Sequence, residues 1–102
     1  MTAYVIADIA RITDPHRYDQ YKAQVFQGMT NAGGQYLARG GAIQVMEGNW
    51  RPNRLVLVRF EDTASARAWW ASSEYAELKR LRQQSTDTNL LIVSGLDEMD
   101  QP

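Results

Sequence analysis

The chain has 102 residues, 44% apolar and 23% charged, with a formal net charge of −1 and no cysteine. That length gives one domain with one core, and the near-neutral balance supplies no field to gather nucleic acid or an anionic membrane. Lack of cysteine removes disulfides, thiolate metal sites and cysteine nucleophiles together. No basic run precedes an apolar stretch near the N-terminus, and no apolar run approaches the roughly 20 residues of a membrane helix, so a cytoplasmic protein is expected.

In chain order, Tyr4 to Ile12 is rich in Val and Ile and predicts a first strand. Asp14 followed by Pro15 predicts a helix start, the carboxylate accepting from free amides and the proline needing no partner for its missing N–H. The helix places Tyr18, Tyr21, Val25, Met29 and Ala32 on one side and stops at Gly33-Gly34. Gln35 to Glu47 predicts a second, extended segment with a bulge or bend at Gly40-Gly41, Gly48 to Asn53 a turn, and Arg54 to Phe60 a third strand. Asp62 caps a short Ala-rich helix carrying Trp69 and Trp70, and Ser72 or Ser73 restarts a helix with Tyr75, Leu78 and Leu81 inward. Asn89 to Gly95 is the last strand. A single domain over 1–96 is thus expected, with a polar tail over 97–102.

The order β-α-β-β-α-β is the ferredoxin-like arrangement, an α+β sandwich with helices on one face of an antiparallel sheet. Right-handed crossovers put the first strand between the third and fourth. The strands are apolar on both faces: Tyr4 and Ile6 oppose Val5, Ala7 and Ile9; Leu55 and Leu57 oppose Val56, Val58 and Phe60; Leu90 and Ile92 oppose Leu91 and Val93. Helices cover one face only, and a monomer seldom exposes so large an apolar surface. A second copy laid sheet to sheet with two-fold symmetry would bury the other, so a homodimer is expected.

Asp8, mid-strand on the face of Tyr4 and Ile6, is a candidate general acid or base if desolvated; the alternative is an ion pair with Arg59 or Arg54. Arg39, beside Gly40-Gly41, can present a planar fork to a carboxylate or phosphate, or pair with Glu47 or Glu61. His16, the one histidine, falls in a helix's first turn, where the dipole favours the neutral imidazole; it is a second candidate catalytic group or a surface residue. No metal site or cofactor is expected. Tyr18 and Tyr21 lie where a ligand would sit between helix and sheet. Arg54 adds an anion-binding group. Adjacent Trp69 and Trp70 cannot both face inward, so Trp70 joins Tyr75 among the candidate ligand contacts, with core or interface packing the alternative for each aromatic.

The run Gly34-Gln35-Tyr36-Leu37-Ala38-Arg39-Gly40-Gly41, followed by Glu47-Gly48-Asn49-Trp50-Arg51-Pro52, resembles the bacterial domain-of-unknown-function family thirteen-thirty. Further matching features are Asp8, Pro15, Tyr18, Tyr21, Arg54, Phe60, Ala64 to Trp70, Ser72-Ser73-Glu74-Tyr75 and Arg82, so the resemblance runs from Tyr4 to about Gly95. It implies a ferredoxin-like fold pairing as a dimeric α+β barrel. Asp8, Arg39, Glu47, Arg54, Glu74 and Tyr75 are the polar positions it carries over; the family has no established reaction, so no catalytic role comes with them.

The leading functional expectation is a homodimer with a small-molecule pocket between helices and sheet, working as a cofactor-independent enzyme of undetermined reaction. The alternative is a non-catalytic dimeric module binding a metabolite or a protein. RNA recognition by the same strand order needs aromatics on the open sheet face; Leu55 and Leu57 stand there instead, so no nucleic-acid partner is expected, and no membrane.

Overall fold

The computed structural model describes residues 2–96; the polar tail expected over 97–102 lies outside them. The chain forms β1 (Ala3–Ile12), α1 (Pro15–Asn31), β2 (Gln35–Arg39), β3 (Arg54–Phe60), α2 (Thr63–Ala71), α3 (Ser73–Ser85) and β4 (Thr86–Ser94). The four strands make one antiparallel sheet in the order β2-β3-β1-β4, with β1 between β3 and β4 as the crossover argument requires.

Each helix begins on a cap legible in the sequence. Asp14 accepts from the Arg17 amide at 3.2 Å with Pro15 at the first helical position, Asp62 accepts from Ser65 at 2.7 Å, and Ser72 Oγ accepts from Tyr75 at 3.2 Å. α1 ends in a Schellman turn: the Gly34 amide donates to Met29 O and the Gly33 amide to Thr30 O, with Gly33 at φ +94°. Ala32 therefore caps the helix, exposed, and does not extend its buried stripe of Tyr18, Tyr21, Val25 and Met29.

Two strands depart from expectation. β2 stops at Arg39, because Gly40 at φ +76° turns the chain out of the ladder after one last bond from its amide to Leu55 O. Residues 41–53 form no strand, and the bulge falls at Leu37, where the β2–β3 register slips, with the double glycine serving as the bend. β4 starts three residues early, at Thr86, directly after α3. Its polar first half is held by pairing to β1, Thr86 opposite Ile12 and Asp87 opposite Arg11, and Arg11 and Asp87 form an exposed salt bridge of 2.9 Å.

All three helices cover one sheet face. Against them lie Ala3, Val5, Ala7, Ile9, Val58 and Phe60, buried with Ala66, Trp69 and Tyr75. On the other face the register aligns Tyr4 with Arg59 and Val93, Ile6 with Leu57 and Leu91, and Asp8 with Leu55 and Asn89. In the single chain this face is open: Leu91 is 52% and Val93 44% exposed.

Candidate functional site

Between α1 and the sheet is a small cavity of about 40 Å³. Tyr18, Tyr21 and Lys22 enter it from α1, Tyr36 and Arg39 from β2, Arg54 and Val56 from β3, Trp69 from α2 and Arg82 from α3. The one-turn spacing that buries α1 also stacks Tyr18 on Tyr21, with centroids 5.8 Å apart. The Tyr21 hydroxyl lies 2.8 Å from that of Tyr75, which accepts from Arg82 Nε at 3.3 Å. Burial pushes the Tyr21 phenol well above its ordinary pKa, and the neighbouring Tyr75 adds to the rise. Burial likewise raises Tyr36. Tyr21 and Tyr36 are therefore hydrogen-bond donors at neutral pH.

The charges here are of one sign. Arg54 lies over the Tyr18 ring at 5.9 Å, and its Nε is buried with no hydrogen-bond partner. Gly40 leaves room for it, since a Cβ there would strike the Arg54 guanidinium. Arg39 donates to Lys22 O at 2.9 Å and lies over the Tyr36 and Phe26 rings, at 5.0 Å and 5.3 Å. Arg82 is 5% exposed. No described carboxylate forms a salt bridge with any of these three arginines, and no Asp or Glu lines the cavity. Arg39 thus does without either Glu47 or Glu61, and Arg54 without Asp8.

Four of the candidate residues, Tyr18, Tyr21, Arg39 and Arg54, share this cavity, and Tyr75 joins it through Tyr21. Asp8, His16 and Trp70 lie elsewhere. Asp8 is on the opposite sheet face, where its Oδ1 is shielded from solvent and has no hydrogen-bond partner. His16 is exposed at the start of α1, its Nε2 3.4 Å from Gln20 Nε2. Trp70 points outward, one helical step from buried Trp69, and the Lys79 ammonium covers its ring at 3.7 Å.

Sequence reasoning missed Lys22, Tyr36 and above all Arg82 as lining residues. Arg82 sits in the charged run Lys79-Arg80-Leu81-Arg82, yet Tyr75, Leu78, Arg82 and Ser85 recur at helical spacing, and that period places it inward. Also unforeseen is a cleft of about 480 Å³ between the second half of α1 and the α2–α3 corner. Small residues open it, Gly28 and Ala32 on one side and Ser65 and Ala68 on the other, and Val25, Met29 and Trp69 form the wall it shares with the inner cavity.

Chemically, the cavity can bind and stabilise negative charge: cations and phenolic donors converge beside apolar walls. Among the described residues no three metal-ligating side chains come together.

Fold and cavity together define a ferredoxin-like α+β protein with a small cavity between helix layer and sheet. The profile of the family described as Domain of unknown function (DUF1330) matches residues 2–96, and the chain belongs to that family. Among solved structures it is similar to RPA0582, a protein of unknown function from Rhodopseudomonas palustris, at 13% identity and TM-score 0.75, covering 94% of this chain and 83% of that one. It is also similar to SnoaB, a cofactor-independent oxygenase from Streptomyces nogalater, at 9% identity and TM-score 0.60, covering 98% and 97%. A conserved protein from Methanosarcina mazei Go1 aligns at 15% identity and TM-score 0.55 over 92% of each chain. At such identities these structures share the fold alone. No curated protein sequence matches the chain.

Proposed function

We propose that this protein is a cytoplasmic homodimer in which each protomer binds a small organic molecule between α1 and the sheet and converts it without a cofactor, by stabilising negative charge that develops on it. The observation that carries the reading is the buried sequence Tyr21–Tyr75–Arg82, whose two ends, a phenol and a guanidinium, line one largely apolar cavity while Tyr75 joins them from behind its wall. SnoaB provides a cofactor-independent oxygenase on this architecture; a shared fold does not transfer a reaction, so the chemistry is argued from these side chains. Dimerisation is supported by the open apolar face around Ile6, Leu57, Leu91 and Val93. Burying about 500 Å² of apolar surface per protomer there contributes roughly 12 kcal/mol before association costs.

A second reading, a dimeric module that binds a metabolite without converting it, is favoured by one observation: neither Asp8 nor His16 lines the cavity, so it lacks a carboxylate or imidazole base. Native mass spectrometry of freshly purified protein, followed by denaturation of the same sample, tests both. The expected result is a dimer with added mass that is released on denaturation. Turnover of that released molecule by the protein establishes the enzyme, and its return unchanged establishes the binding module. A monomer of bare chain mass overturns the assembly and the cavity together.

A further inference from the structure

We infer that the cavity's ligand is a small organic carboxylate, its acid group held by Arg54 and Arg82 and its body laid against the Tyr18 and Tyr36 rings. This rests on the cavity being a ligand site and names the chemistry that fills it.

Arginine stays protonated in proteins, so Arg82 carries its charge while almost wholly buried. Buried cations are ordinarily paired with an anion. Arg82 has a neutral phenol instead: its Nε donates to Tyr75, and no described acid reaches it. Arg54, half-buried at the start of β3, adds a buried Nε that meets no acceptor. Both guanidinium groups border the same 40 Å³, Arg82 with a single side-chain hydrogen bond and Arg54 with a buried Nε that has none, although the chain carries 12 acidic residues and a net charge of −1. The missing counter-charge is what a ligand would bring.

Its shape follows from the walls. A space of 40 Å³ is little more than one water's share of liquid volume, enough for a carboxylate group and too little for a whole ring. The acid end therefore seats inside, and the rest of the molecule extends past the half-buried Tyr36 and exposed Arg39, toward solvent. A guanidinium fork matches a planar carboxylate in two parallel hydrogen bonds, and Tyr21 is held as a phenol that can donate. No helix N-terminus borders the cavity, so the backbone amides that commonly cradle phosphate are absent from its wall.

The test is a titration of full-length protein followed through the arginine Nε–Hε NMR resonances, at constant ionic strength. The probes are two acid and amide pairs, acetate with acetamide and benzoate with benzamide, and inorganic phosphate. The expected result is saturable shifts of the Arg54 and Arg82 signals with the acids, none with the amides, and benzoate binding weakened roughly ten- to hundredfold in Arg54→Gln. Arg82→Lys, which keeps the charge and loses the fork, should weaken it as well; Arg54 is only half-buried, so R54Q remains informative if R82K does not fold. Equal shifts from acid and amide would overturn the anion while leaving the cavity a ligand site. Binding of phosphate without the acids, or unchanged benzoate binding in R54Q, would overturn the carboxylate assignment. Silence from every probe would overturn both the inference and the cavity reading beneath it.

Discussion

The hydroxyls of Tyr21 and Tyr75, 54 residues apart in the chain, meet at 2.8 Å in the interior, and the Tyr75 oxygen also takes the Nε hydrogen of Arg82. The Tyr75 oxygen can accept from both Arg82 and Tyr21, and the rise in the Tyr21 pKa to which this bond contributes fits Tyr21 as the donor of the pair. Helices α1 and α3 are thereby tied by a polar contact inside an otherwise apolar layer, at the point where the cavity is walled.

This contact has a pH signature. Tyr21 has its pKa raised above 10.0, by burial first and by Tyr75 second. A folded state that holds its proton more tightly than the unfolded chain is favoured while both are protonated and loses that advantage as pH climbs past the unfolded value. The contribution of Tyr21 should therefore be level from neutral pH to about pH 10 and be lost above it, so that the alkaline fall in stability is reduced in Tyr21→Phe. At neutral pH the same variant should be less stable by about 1 kcal/mol, the usual net worth of one hydrogen bond. Urea denaturation at neutral and alkaline pH measures both; an alkaline limb identical in the two proteins would show that Tyr21 is not its source.

Gly40 and Gly41 are adjacent and should respond differently to alanine. Gly40 sits at φ +76° and its added Cβ would meet the Arg54 guanidinium. Gly41 has no atom within 4 Å of such a Cβ and no positive φ. Gly40→Ala should cost about 1–2 kcal/mol for the left-handed backbone and displace Arg54, a flexible end that yields by leaving its place. Gly41→Ala should be near neutral. Thermal melts give the first comparison, and the Arg54 Nε–Hε resonance gives the second; an unmoved resonance in G40A would mean that the glycine serves the backbone alone.

Leu91 tests the assembly. It is half exposed on the open sheet face, level with Ile6 and Leu57, so a charge there should leave the single chain folded. In a two-fold dimer the substitution occurs twice. Losing about 2 kcal/mol of leucine burial at each copy weakens association by roughly a thousandfold, before the cost of two buried ammonium groups. Leu91→Lys should therefore sediment as a monomer at concentrations where the parent is a dimer, with a native circular dichroism spectrum. If both sediment as dimers the interface lies elsewhere, and if both sediment as monomers the assembly itself is overturned.

What the chain order disclosed and what it concealed divide along physical lines. Caps at Asp14, Asp62 and Ser72 and the Val- and Leu-rich run within Arg54–Phe60 are local signals, set by a few neighbouring residues, and each element begins where they place it. The end of β2 depends on the φ of Gly40, and a double glycine is compatible with a bulge or a bend. The start of β4 depends on β1, whose ladder holds Thr86-Asp87-Thr88 although their side chains are polar. Tyr18, Tyr21, Arg39 and Arg54 come together because helical period and strand register can be read forward. Asp8 stood out as a charge among apolar neighbours, a pattern equally produced by the second face of the sheet. Arg82 stayed hidden because its inward position shows only in the spacing to Tyr75 and Leu78.

Arg82 is also where stability and function should part. Replacing a buried ionic group with an apolar one of similar volume is often neutral or stabilising, because the desolvation cost disappears. Arg82→Met loses one charge-assisted hydrogen bond to Tyr75, about 1.5–3 kcal/mol, and removes a nearly buried cation without a described counter-ion, whose desolvation cost is larger still. The ligand-free variant should therefore melt at or above the parent temperature, while the stabilisation that benzoate gives the parent should vanish. Such a result would mark the arginine as kept for what it binds, at some expense to the empty protein. A variant that melts well below the parent and still gains stability from benzoate would assign Arg82 to packing between α3 and the sheet, and leave Arg54 as the anion's only strong contact.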